Sequence, residues 1–301
     1  MKGMILVMKK STLIAAALSA TVAVSALAPN VSAMKAVGDV DVPYGTAVID
    51  GKINADEWKD AAVIPFNGDT AKAWVGSVPA DFSTDVKALW DETGLYLAGE
   101  ITDSTFMAST EGQYNGDAFQ FSIDLGQVFN GTDESRAIFY SFGCWDGGST
   151  MVQRQESKND AVVNDGDGVE IKTTKTSDGW SFELMLSWDM LAEDAELKSG
   201  KTVDVDEGTK VNMLICYLDK DAAGAVANAF GTTLSDEGTE FDWGPNDHGV
   251  TLSLVKPEPA EVDDTTDATD TDAPQTADIV SVSALAALAS AAALVIVKKK
   301  H

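Results

Sequence analysis

Val86-Lys87-Ala88-Leu89-Trp90, then Asp91-Glu92-Thr93-Gly94, then Leu95-Tyr96-Leu97-Ala98-Gly99-Glu100-Ile101 reads as two strands joined by a polar turn. The second strand ends at Asp103. After a polar excursion from Ser104 to Gly116, a third strand runs Ala118-Phe119-Gln120-Phe121-Ser122-Ile123-Asp124. β-Branched and aromatic residues, period-two alternation and Gly/Asp punctuation mark antiparallel strands rather than helix. The excursion is long for a hairpin, and long loops on a sheet scaffold are where binding residues tend to sit.

The same pattern extends in both directions. Trp180-Ser181-Phe182-Glu183-Leu184-Met185-Leu186-Ser187-Trp188 has the cleanest alternation in the chain. Its Trp180, Phe182, Leu184, Leu186 and Trp188 fall on one face, with Ser181, Glu183 and Ser187 on the other. Ala137 to Phe142, Val169 to Thr173, Val211 to Leu218 and Val250 to Leu254 are further strands. Upstream, Ala47-Val48-Ile49-Asp50-Gly51 reads as a strand entering an Asp-Gly turn. Asn54-Ala55-Asp56-Glu57-Trp58 then reads as a single capped helical turn, Asn54 the cap and Glu57 at the capping-box position, facing Trp58 inward. About nine or ten short strands with little helical periodicity predict an all-β chain, a single antiparallel β-sandwich of jelly-roll or immunoglobulin-like kind.

Both ends have other signatures. Residues 1–33 read as a signal peptide: Lys2, Lys9 and Lys10, an apolar stretch from Leu13 to Val24, and the exit Val31-Ser32-Ala33, with Ala26-Leu27-Ala28 as a rival site. Residues 34–256 form the sandwich domain. Residues 257–278 form an acidic linker of Pro, Thr, Ala, Asp and Glu that buries almost nothing and is expected to be disordered. Ile279 to Val297 is an uncharged apolar run of roughly membrane-spanning length, followed by Lys298-Lys299-Lys300 and His301. The basic tail predicts that everything before Ile279 lies outside the cell. Pro274-Gln275-Thr276, apolar span and basic tail together resemble the sorting signal read by sortases of Gram-positive bacteria, with Ala273 and Ala277 where that signal has Leu and Gly. A plain transmembrane anchor is the alternative. Either places the chain at the cell surface.

Six of the 21 basic residues sit in the two end segments and none of the 48 acids do, leaving 15 bases against 48 acids in between. Such a surface repels phosphate backbones and argues against nucleic acid; a neutral sugar meets no such penalty. Cys144 and Cys216 allow either one bridge or two buried thiols. There is no Gly-x-Ser-x-Gly elbow, no paired-His metal motif and no phosphate loop. Carboxylates are so abundant that a pair at glycosidase spacing carries no weight. No catalytic residue is assigned.

Four pieces in order resemble one family. They are Val48-Ile49-Asp50-Gly51 with Glu57-Trp58; Leu89-Trp90-Asp91 with Gly94-Leu95-Tyr96-Leu97; Asp117 with Phe119-Gln120-Phe121-Ser122-Ile123-Asp124; and Gly179-Trp180 with Phe182-Glu183. Together they resemble carbohydrate-binding module family 9, a β-sandwich related to DOMON-type domains. The resemblance implies a non-catalytic module binding polysaccharide or oligosaccharide ends of plant cell-wall type, such as xylan or glucan. It implies two aromatic rings clamping a terminal sugar: Tyr114, three residues before Asp117, and Trp243, on the loop before Val250. Gln120 stands where such members carry a carboxylate for sugar hydroxyls, and Tyr114 where they carry Trp. It also implies structural calcium, whose ligands it does not locate.

The chemistry of the residues agrees. A sugar's C–H face lies on an aromatic ring while its hydroxyls need directional partners, and Asn115, Asp117, Asn246 and Asp247 neighbour the two aromatics. An aromatic covers on the order of 150 Å² or more, a few kcal/mol gross at about 25 cal/mol/Å². Association costs bring the expected Kd to about micromolar to millimolar. Trp74 and Trp145 are reserve platforms, and Asn164-Asp165-Gly166-Asp167-Gly168 reads as a turn without EF-hand spacing. The rival readings are a haem-binding DOMON-type electron carrier using His248 with Met151 or Met213, a glycosidase, and a structural surface protein. No haem is expected, and a monomer is.

Overall fold

The computed structural model describes residues 38–108, 116–129, 138–144, 151–155, 161–164, 168–221, 226–232 and 249–257. Their strands, in chain order, are β1 (Val40–Pro43), β2 (Ala62–Asn67), β3 (Lys72–Val75), β4 (Ser83–Trp90), β5 (Gly94–Thr102), β6 (Ala118–Leu125) and β7 (Ile138–Gly143). There follow β8 (Met151–Gln155), β9 (Ala161–Asn164), β10 (Val169–Lys175), β11 (Gly179–Ser187), helix α1 (Trp188–Ser199), β12 (Lys210–Asp219), β13 (Asn228–Gly231) and β14 (Val250–Val255). They pair into two sheets. One has the order β1-β14-β12-β6-β7-β8-β9, with β13 joining β12 to β3; the other has the order β10-β11-β5-β4-β2. Every pairing is antiparallel except β1 with β14. This is the expected antiparallel sandwich.

The alternation does what the pattern predicted. Phe119, Phe121, Ile123 and Leu125 of β6 face Trp180, Phe182, Leu184 and Leu186 of β11 across the inter-sheet core. Phe119 is at its centre, with ring centroids 4.9 Å from Phe182, 5.2 Å from Tyr217 and 5.8 Å from Trp180. Trp90 is buried in the same core and its Nε1 donates to the Val255 carbonyl at 3.1 Å, tying β4 to the end of the last strand. Cys144 and Cys216 are buried thiols and neither is in a disulfide.

Two local readings are corrected. Residues 47–51 are not a strand. They belong to an irregular segment that lays Ala47, Ile49 and Trp58 on Leu89, Tyr96, Ala98 and Met185, making a second, smaller core on the outer face of β4, β5 and β11. Trp58 does face inward, and the Asn54 side chain caps the turn by accepting from the Asp56 amide at 3.1 Å. Its indole and the β11 carboxylate explain why two distant motif pieces belong together. Glu183 accepts from Trp58 Nε1 at 3.0 Å, from the Gly51 amide at 2.7 Å and from the Lys52 amide at 3.0 Å. The second correction is at Trp188. The strand ends one residue earlier, at Ser187, whose hydroxyl caps α1 by accepting from the Met190 amide at 3.3 Å. Gly200, at φ 72°, closes that helix in the left-handed conformation.

Helix α1 is held by one polar contact as well as by packing. Buried Asp194 takes the Tyr140 hydroxyl at 2.7 Å and Arg154 Nε at 2.9 Å, with a second Arg154 nitrogen on its other oxygen. This two-pronged guanidinium contact fixes α1 against β7 and β8.

Candidate functional site

Two connections, β5–β6 and β12–β13, leave the sandwich at one end, and their roots are joined by carboxylates. Asp103 follows β5, Asp117 precedes β6 and Asp219 ends β12. The β6–β12 register pairs Ala118 with Leu218, which brings Asp117 beside Asp219. One carboxylate oxygen from each of Asp103, Asp117 and Asp219 lies within 4.8 Å of the others, and all three residues are buried. Asp117 is completely enclosed: Oδ2 accepts the Met107 amide at 2.7 Å and Oδ1 the Lys220 amide at 2.6 Å. Its own amide donates to the Met107 carbonyl at 2.8 Å. The chain on either side of residues 108–116, the stretch containing Tyr114, is thereby clasped at its base.

The other two carboxylates are fixed as firmly. Asp103 takes the Thr105 amide at 3.0 Å and the Tyr217 hydroxyl at 3.3 Å, and Tyr217 in turn takes Trp180 Nε1 at 3.0 Å. Asp219 Oδ2 takes the Asn228 amide group at 2.7 Å, while Oδ1 is buried without a partner. Burial raises all three carboxyls above the usual range, and repulsion adds to it: from Asp103 and Asp219 on Asp117, from Asp103, Asp221 and Asp81 on Asp219, and from Asp81 and Asp221 on Asp103. Asp117 is pushed up to about 8 against the pull of its two amide bonds, and Asp219 to about 6 against that of Asn228; Asp103 moves the same way.

Beside this end, the face of β6 turned away from the core is polar. Gln120, Ser122 and Asp124 alternate with the core phenylalanines, with Ser141 of β7 opposite Gln120 and Asn212 of β12 opposite Asp124. Gln120 Nε2 donates to Ser141 Oγ at 3.0 Å, and Asn212 Oδ1 accepts from Gln127 Nε2 at 3.0 Å and Thr251 Oγ1 at 3.1 Å. Amides and hydroxyls in a row can both donate and accept, the requirement for reading sugar hydroxyls. Asp124 is committed elsewhere. It accepts the Val128 amide at 2.8 Å and the Phe129 amide, closing the turn after β6.

The model of one family, described as "Carbohydrate family 9 binding domain-like", matches residues 49–250. The chain belongs to this family. Among curated relatives, the chain is 26% identical over 184 residues to an exoglucanase, XynX, of Acetivibrio thermocellus, covering 58% of this chain and 15% of that one. It is 24% identical over 179 residues to endo-1,4-beta-xylanase A of Thermoanaerobacterium saccharolyticum, covering 58% and 14%. The chain therefore spans only a small part of the length of these relatives. A solved family 9 module from Caldicellulosiruptor kristjanssonii, in complex with cellotriose, is similar at a TM-score of 0.49 and 16% identity, over 78% of this chain and all of that one.

The quoted family 9 pieces are mostly scaffold. Asp91 accepts the Thr93 amide at 2.7 Å, the Tyr96 hydroxyl at 2.9 Å and the Thr46 hydroxyl at 2.8 Å, so it shapes the β4–β5 turn. Of the expected site residues, Gln120 lies on the polar face, 6% exposed. Asp117 has a different task from the one expected: with no exposed surface and both oxygens on backbone amides, it roots loops instead of reaching for a sugar hydroxyl. Tyr114, Trp243, Trp145 and His248 lie outside the described residues. Trp74 is half-buried on β3. Met213, offered as an axial haem ligand, is packed in the inter-sheet core. Asp103 and Asp219 were not singled out from the sequence, since no spacing motif links residues so far apart. The available signal was an acid at the exit of each of two strands.

Proposed function

We propose that the domain is a non-catalytic carbohydrate-binding module that holds plant cell-wall polysaccharide, xylan or glucan, by its chain ends at the outer surface of the cell. The observation that carries this reading is the family match across residues 49–250, which spans nearly the whole sandwich. Two features support the placement of the site: the polar row headed by Gln120 and Ser141, and the clasped base of the stretch containing Tyr114. In this arrangement Tyr114 and Trp243 stack on the sugar ring and Gln120 bonds a hydroxyl. The signal-like first 33 residues and the apolar span before Lys298 support display outside the cell.

Calorimetric titration of the chain with cello- and xylo-oligosaccharides tests the reading. Binding is expected in the micromolar to millimolar range. Trp243→Ala and Tyr114→Ala abolish it with melting unchanged, and Gln120→Ala weakens it by about 1–2 kcal/mol, one neutral hydrogen bond. Absence of binding to every oligosaccharide at millimolar concentration, or a Trp243→Ala chain that binds as before, overturns it.

A further inference from the structure

We infer that the outer face of β4 and β5 carries a second saccharide site, which holds a neutral stretch of polysaccharide on the side of the sandwich opposite Gln120. Its ligand class rests on the carbohydrate-binding reading; its residues do not. A cleft of about 450 Å³ opens there, within the roughly 300–1,000 Å³ of small-molecule sites. Ser83, Asp85 and Lys87 of β4 and Glu100 and Thr102 of β5 line it. The irregular segment supplies one wall through Ile53, which is half-buried against the second core. Gln120 projects from β6, in the other sheet.

Three observations single this cleft out. The first is charge placement. The β4–β5 register sets Ser83 opposite Thr102 and Lys87 opposite Ala98, so Asp85 and Glu100, between them, face each other. Like charges directly opposite across a strand pair destabilise it. A local rule broken without compensation in the fold is expected at a functional position. The second is availability. Among the described residues, no hydrogen bond or ion pair engages the side chains of Ser83, Asp85, Lys87, Glu100 or Thr102. By contrast Glu183, on the adjoining strand β11, accepts three bonds. The third is support. β4 and β5 are inner strands of their sheet, flanked by β2 and β11, so the cleft's polar groups stand on fixed backbone.

The lining decides the ligand. One aliphatic side chain among charged and hydroxyl groups leaves an apolar molecule little to bury against. Two carboxylates against one ammonium, in a chain of 48 acids and 21 bases, repel an anion. Lys87, half-buried on the same face as Asp85, opposes a cation. A neutral molecule rich in hydroxyls meets none of these objections. Its O–H groups donate to Asp85 and Glu100 in charge-assisted bonds. Its oxygens accept from Lys87, Ser83 and Thr102, while a C–H face rests on Ile53. With no aromatic platform, the expected Kd is about millimolar. Sites on both outer faces let one domain hold two chain segments at once.

The test is carboxyl labelling of the full chain with carbodiimide and glycine ethyl ester, read by mass spectrometry at each residue. Xylohexaose and cellohexaose are the probes, titrated to about 20 mM. At least one of them is expected to protect Asp85 and Glu100, half-maximally at millimolar concentration, while exposed Glu207 labels as before. This protection persists in Trp243→Ala, which separates the cleft from the site near Gln120; if that variant fails to fold, Tyr114→Ala takes its place. Glu100→Gln raises the concentration that half-protects Asp85 by about 5- to 10-fold, through the loss of a charged acceptor. The same variant melts no lower than the wild type, since it removes one of two opposed charges. Equal labelling of Asp85 and Glu100 with and without both probes overturns the inference. So does protection that disappears in Trp243→Ala, or protection of Asp85 unchanged in Glu100→Gln. The two readings fail separately: a Trp243→Ala chain that binds as before removes the site near Gln120 and leaves the labelling result at Asp85 to stand by itself.

Discussion

Replacing Glu183 by glutamine changes one atom in the strand-borne latch that closes the irregular segment, residues 47–61, over the second core. The carboxylate accepts three bonds: Trp58 Nε1 on one oxygen, the Gly51 and Lys52 amides on the other. Glutamine has one acceptor oxygen and one donor nitrogen. In its best orientation the oxygen keeps the two amides and the NH₂ faces the indole N–H, donor against donor. One bond to a charged acceptor is lost, about 1.5–3 kcal/mol, and the buried indole N–H is left unanswered at about 1–3 kcal/mol. Against this, burial raises the Glu183 carboxyl above the usual range, so removing its charge returns part of the desolvation cost. The net expectation is about 2–4 kcal/mol, or about 4–16 °C in melting temperature for a domain of this size. Urea unfolding should show a lower midpoint at unchanged slope. In a Trp58→Phe background, where no indole N–H remains, Glu183→Gln should cost at least about 1 kcal/mol less, the coupling that a double-mutant cycle isolates. A Glu183→Gln chain that melts within about 1 °C of the wild type, or strict additivity with Trp58→Phe, refutes the latch.

Trp90→Ala empties a site 2% exposed between the sheets and removes the bond to Val255; it should cost about 3–5 kcal/mol, read by denaturant titration. Burial pushes the Asp117 carboxyl up to about 8 in the folded state, so it keeps its proton well above the ordinary carboxylate range. Unfolded, it releases that proton near pH 4. The folded state thus binds more protons across this window, and stability falls as pH rises through it; melting curves that rise or stay flat between pH 5 and pH 8 contradict this. If a sortase acts at Pro274-Gln275-Thr276, deleting residues 298–301 should release the chain into the medium, and wall digestion should solubilise the wild type. Recovery by detergent alone identifies a membrane span instead.

The sandwich was legible because burial of one strand face imposes a period of two, and the run from Trp180 to Leu186 shows it without interruption. Where local pattern and tertiary demand diverge, the reading failed. Trp188 continues the alternation, yet Ser187 caps a helix there, and its indole donates to the Asp91 carbonyl at 2.7 Å. Ala47 to Gly51 carries strand-like residues, but its Gly51 amide bonds the Glu183 carboxylate and its Asp50 amide the Val48 carbonyl, not a neighbouring strand. Candidate-site legibility followed the same line. Gln120 was readable as a polar residue between core phenylalanines, whereas the union of Asp103 and Asp219 depends on how two sheets stack, which no short window records. Asp117 was read as a ligand contact because it borders a loop; its enclosure is a property of packing.

The parallel pairing of β1 with β14 determines how the domain transmits force. β14 runs antiparallel to β12, so Val255 leaves the sandwich at the end opposite Asp219. On the proposed reading, with the chain held from its C-terminal side and a ligand bound near Gln120, a pull on that ligand loads the domain along its strands. The hydrogen bonds of β14, to β1 on one side and β12 on the other, then resist together in shear and are not peeled apart one by one. A module built this way is suited to holding a substrate against flow.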